Sequence, residues 1–66
     1  MEYSNSRIRE IIAEFIHNAR DRELLCRRLI DGITIERLAE EFDLSVSQTK
    51  RLLKVNEAIV FRHVPN

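Results

Sequence analysis

The sequence predicts an all-α fold of four helices. Three observations carry this. Apolar residues recur at spacings of three and four along the chain. Leu, Arg and Glu, which are good helix formers, dominate together with Ile. Gly32 and Pro65 are the only residues of their kinds, which leaves little material for hairpins, and no alternating strand pattern, internal repeat or low-complexity stretch is present. Charged residues make up 33% of the chain, but the 44% that is apolar is periodic and sufficient for one small core, so disorder is not expected. Sixty-six residues allow a single domain over 1–66. A domain of that size buries roughly 60% of its unfolded surface and leaves no room for an enzyme-sized pocket.

The first helix is predicted over about 6–17, where Ile8, Ile11, Ile12, Phe15 and Ile16 form one stripe and Ser4, Asn5 and Ser6 offer cap oxygens. The second runs over about 20–31, with Asn18 or Asp21 at its start and Leu24, Leu25, Leu29 and Ile30 facing inward. Arg27 and Arg28 lie in its last turns, where positive charge suits the helix dipole, and Gly32 is the left-handed residue expected just past its end. Thr34 caps a third helix, 35–42, that buries Ile35, Leu38, Ala39 and Phe42. After a turn at Asp43-Leu44, Ser45 opens a fourth helix over 45–62, with Gln48 completing a capping box and Pro65 beyond its end. The tail IVFRHV, 59–64, either bends back on the first helix or forms a contact between two copies of the chain.

Several functions are excluded early. Cys26 is the only cysteine, so neither an intramolecular disulfide nor a cysteine-based metal cluster forms, and it reads as a small, partly buried side chain. His17, at the end of the first helix, and His63, in line with Asn56 on the core side of the last, are far apart. No metal or other cofactor is expected. There is no glycine-rich phosphate loop and no nucleophile–base pattern, and the adjacent Glu40 and Glu41 diverge by about 100° on a helix, so an enzyme is not expected. No long apolar run suggests a signal peptide or a membrane span, which points to a cytoplasmic protein without a membrane partner.

Net charge is zero, but it is unevenly spread. Residues 1–44 carry seven Arg against ten Asp and Glu, giving −3, whereas 45–66 carry Lys50, Arg51, Lys54 and Arg62 against Glu57, giving +3. On the fourth helix Thr49, Leu52, Leu53 and Val60 share one face, and Ser47, Lys50, Arg51 and Lys54 share the opposite one. A short helix, a tight turn and a second helix with a basic outer face form a helix-turn-helix over 34–54, which places its second helix in the major groove of DNA. Ser47, Gln48 and Arg51 are the candidates for reading bases. Lys50, Lys54 and the helix start at Ser45 and Val46 are candidates for phosphates. Thr34 and Arg37 are placed to touch the backbone of the other strand.

The stretch ARDRELLCRRLIDGITIERLAEEFDLSVSQTKRLLK resembles the promoter-binding region four of bacterial sigma factors, over about residues 19–58. It is similar, more weakly, to the DNA-binding domains of LuxR-type regulators. The motifs that carry the resemblance are RDRELL, the DG-x-T junction, LAEEF and LS-x-S-x-x-KR-L. It implies an all-helical domain whose last helix reads a promoter element and which also docks on RNA polymerase; 66 residues leave no room for the rest of a sigma factor, so a free-standing module is expected. Ser45, Ser47, Gln48, Lys50, Arg51 and Lys54 inherit the DNA-facing positions. Two positions depart from the pattern. Asp43 stands where the turn usually has glycine, and a left-handed Asp is tolerated there at some cost. Thr49 stands in place of a buried valine, and its hydroxyl is expected to bond the carbonyl of Ser45.

The expected function is a sequence-specific regulator of transcription that binds double-stranded DNA, with RNA polymerase and a second copy, joined through the tail, as further partners. The competing expectation is a protein-interaction module that binds RNA polymerase, a sigma factor or an anti-sigma factor without binding DNA. The zero net charge and the acidic first two-thirds of the chain favour the competing expectation more than the first.

Overall fold

Each helix opens on a side chain that satisfies one of its own free N–H groups. In the computed structural model, which describes residues 4–63, the helices are α1 (Asn5–Phe15), α2 (Ala19–Leu29), α3 (Ile35–Glu41) and α4 (Val46–Arg62). Ser4 Oγ accepts from the Arg7 N–H at 3.1 Å, Asn18 Oδ1 from Asp21 at 3.1 Å, and Thr34 Oγ1 from Arg37 at 3.2 Å. At α4 the exchange is reciprocal. Ser45 Oγ accepts from the Gln48 N–H and Gln48 Oε1 from the Ser45 N–H, both at 3.0 Å, which closes the expected capping box. Pro65, the expected stop signal after α4, lies outside the described residues.

The helix ends are where tertiary packing overrides the local pattern. α1 stops at Phe15 rather than at 17, because Ile16 turns extended (φ −107°, ψ 113°) and drives its own side chain into the core at 2% exposure. His17 therefore lies past the helix, exposed, and takes no part in its last turn. α2 stops at Leu29 rather than at 31. The N–H groups of Ile30 and Asp31 converge on the Cys26 carbonyl at 3.0 and 3.3 Å, and the left-handed Gly32 (φ 69°) follows two residues after the cap rather than one.

α3 ends in a Schellman motif. The Leu44 N–H reaches the Ala39 carbonyl at 2.9 Å and the Asp43 N–H reaches that of Glu40 at 3.3 Å. The residue this motif holds left-handed is Asp43, at φ 55°. Aspartate adopts that conformation less readily than glycine. Asp43→Gly is expected to raise stability by about 0.5–1 kcal/mol, the relief of strain being partly offset by the entropy of an added glycine in the unfolded chain. A rise in urea midpoint at unchanged slope is the check. A fall would mean that the carboxylate contributes more than its backbone costs.

The core forms where α1, α2 and α4 meet, with α3 closing one side. Leu24, Leu25, Leu38 and Val60 are fully buried, and Ile11, Ile12, Ile16 and Leu53 complete the cluster. Ala39, on α3, is 5% exposed, and α3 packs on both α2 and α4. Thr49 is fully buried, and its hydroxyl donates to the Ser45 carbonyl at 2.9 Å, as its position predicts. Of the tail 59–64, residues 59–62 continue the helix without bending back and His63 packs on α1; Val64 lies outside the described residues. α4 stays helical to Arg62, buries Val60 completely, and stacks the ring of His63 on Phe15 of α1, centroids 3.6 Å apart and planes within 2°. Asn56 on the same side donates to the Leu52 carbonyl at 2.8 Å, so its burial leaves no amide hydrogen-bonding group stranded. Among the described residues no helix is long and apolar enough to cross a membrane.

Candidate nucleic-acid interface

The turn between α3 and α4 presents the start of α4 to solvent. Val46 and Ser47 are the first residues of that helix, so their N–H groups have no carbonyl a turn below and face outward. The hydroxyls of Thr34 and Ser45 each accept a cap bond and keep their own proton to donate. Thr34, Arg37, Ser45, Val46, Ser47, Gln48, Lys50, Arg51 and Lys54, the residues singled out from the sequence, are all exposed. Ser47, Lys50, Arg51 and Lys54 lie on the side of α4 opposite the buried Thr49, Leu53, Asn56 and Val60.

Gln48 occupies a different position from the other base-reading candidates. Its Oε1 is engaged by the Ser45 N–H, so only the amide nitrogen and one lone pair remain. A two-bond contact to adenine would share that oxygen with the cap. Ser47 and Arg51 carry no such obligation. Arg37 extends into solvent with its side chain 70% exposed and a loose 3.7 Å contact to Glu41.

Charge around α4 is more one-sided than the zero net charge suggests. Among the described residues none of Lys50, Arg51 and Lys54 forms an ion pair, and neither do Arg9, Arg22, Arg28 and Arg62, whereas Arg7, Arg20, Arg27 and Arg37 do. Two shallow clefts flank the helix, and α2 contributes an arginine to each. Arg20 lines one with Leu44, Gln48 and Arg51, and Arg28 lines the other with Lys50, Lys54 and Glu57. Arg28 is held in place by a 2.9 Å bond from Nη1 to the Ile33 carbonyl. Sequence reasoning missed both arginines, because their proximity to α4 arises only once α2 packs across it.

Nothing in the family, curated-protein or solved-structure comparisons matches this chain.

The frame behind the site is braced by a third arginine of α2. Arg27 holds both oxygens of Glu41 on α3, through Nε at 3.1 Å and Nη2 at 2.7 Å, and reaches Asp31 through Nη1 at 3.1 Å. This bidentate bond pulls the Glu41 carboxyl below the usual glutamate range and raises the Arg27 guanidinium further, hydrogen bonding being the larger cause and Coulomb attraction the smaller. A carboxyl lowered in the folded state contributes stability that is present above its unfolded pKa and is lost as pH falls through its folded value. Glu41→Gln is expected to be less stable than the parent near neutral pH and to converge with it in acid. Urea midpoints measured at about pH 7 and about pH 3 check this. An equal gap at both would rule out the ion pair as the cause.

Proposed function

We propose that this chain is a sequence-specific DNA-binding regulator of transcription, of the kind built on region four of sigma factors. α3 and α4 act as a helix-turn-helix, with the first turns of α4 in the major groove. Ser47 and Arg51 read base edges. Lys50, Lys54 and the N–H groups of Val46 and Ser47 hold phosphates, with Thr34, Arg37, Arg20 and Arg28 along the flanks.

The observation that carries this reading is the exposed face of α4 with its three unpaired cations, flanked on both sides by an arginine from α2. A solvated helix face in a chain of zero net charge would be expected to mix signs or pair them. Here Glu41 of α3 is held by Arg27 of α2. The resemblance of residues 19–58 to region four points the same way.

The purified protein should be titrated against a pool of random duplex DNA at two salt concentrations and the retained sequences read. With about three to five phosphate contacts the slope of log affinity on log salt is expected to be about −3 to −5. An enriched motif with that slope supports the reading, and the spacing of its halves reports the symmetry of the bound form. No retention at low salt overturns it and turns the assignment to protein partners, RNA polymerase and sigma or anti-sigma factors first.

A further inference from the structure

We infer that the outer face of the C-terminal half of α4 is a docking surface for a protein partner, which it engages through an acidic, apolar helical segment. Val55 and Phe61 are 57% and 53% exposed, and Ala58 between them is exposed too. Spaced by three, these residues are neighbours on the helix surface and make a diagonal apolar strip with a small residue at its centre. Scattered apolar side chains on a surface need no explanation, but neighbouring ones mark contact sites. At 17 residues α4 is about 25 Å long. A helix entering the major groove end-on uses its first turns. The apolar strip lies beyond them, so the inference goes past the proposed DNA contact, although Arg51 and Lys54 of its border serve both surfaces.

The margins of the strip select the partner. Arg51, Lys54 and Arg62 border it, all exposed and, among the described residues, in no ion pair. Glu57, the one carboxylate of α4, lies one turn before Phe61 and lines the Arg28 cleft with Lys50 and Lys54, so the border carries three cations against one carboxylate. A second copy laid antiparallel about Ala58 would set Val55 against Phe61 but also Lys54 against Arg62, cation against cation. A segment with Leu or Phe along one stripe and Asp or Glu beside it satisfies both the apolar strip and its basic border.

The test uses the full chain, isotope-labelled for amide NMR, and a synthetic helix with leucines on one face and glutamates on the other. Saturable shifts centred on residues 54–62 are expected. The same peptide with lysine for glutamate should produce none. Phe61→Ser and, separately, Val55→Ser should each weaken binding about tenfold while leaving the amide spectrum of the core unchanged. Shifts centred instead on Arg20 and Arg28, or affinity unaltered in both variants, would overturn the proposal, as would the absence of saturable shifts. A concentration-dependent dimer that Phe61→Ser abolishes would overturn it in favour of a second copy.

Discussion

Leu38→Ala is expected to leave most of the protein unfolded at 37 °C. Leu38 is fully buried, and α3, which carries it, packs on both α2 and α4. Truncating a buried leucine costs about 2–5 kcal/mol in lost transfer energy and cavity. A domain of 66 residues has about 3–10 kcal/mol in total. The loss is thus comparable with the whole stability. A thermal melt followed by helical circular dichroism is the measurement. Each 1 kcal/mol is worth about 4–8 °C in a domain of this size, so the transition should fall by tens of degrees or vanish. Leu38→Met, which nearly conserves volume, should cost less than about 1.5 kcal/mol. If the alanine variant melted within a few degrees of the parent, the core as described would not be the source of stability.

Arg51→Ala is expected to have the largest effect on recognition. An arginine that makes two bonds to a guanine edge is worth about 1–3 kcal/mol, about 5- to 150-fold in affinity, and the loss should be confined to the selected sequence. The variant should therefore relax base preference. Lys54→Ala should behave differently, weakening all duplexes alike and reducing the salt slope by about 0.9. Binding curves for the selected duplex and a scrambled one, at two salt concentrations, separate the two behaviours. If Arg51→Ala altered neither affinity nor preference, the base-reading role of this face would be lost.

The features legible in the sequence are those that arise within three to five residues. The caps at Thr34 and Ser45, the left-handed Asp43 and the buried Thr49 hydroxyl depend on neighbours along the chain, and so does the separation of the two faces of α4. For α1 and α2 the sequence narrows the cap to Ser4, Asn5 or Ser6 and to Asn18 or Asp21, of which Ser4 and Asn18 serve. The features that were not legible depend on how helices lie against one another. Ile16 leaves α1 because the core takes its side chain. His63 finds its partner in Phe15, and Arg27 finds Glu41, only in the folded molecule. The arginines flanking α4 are of the same kind. On α2 alone, Arg20 and Arg28 look like ordinary surface charges, and their relation to Lys50, Arg51 and Lys54 comes from packing.

The reciprocal bond between Ser45 and Gln48 also constrains how this surface could diverge. Position 48 can change chemistry only among side chains that still reach back to the Ser45 N–H, which means Gln or Glu; any other choice gives up part of the cap. Ser47 and Arg51, the neighbours that face outward, hold up nothing in the fold. Under the proposed reading, a lineage of such proteins would acquire new target sequences by drifting at 47 and 51 while 48 stayed put, so that the specificity of the helix evolves through fewer positions than it exposes.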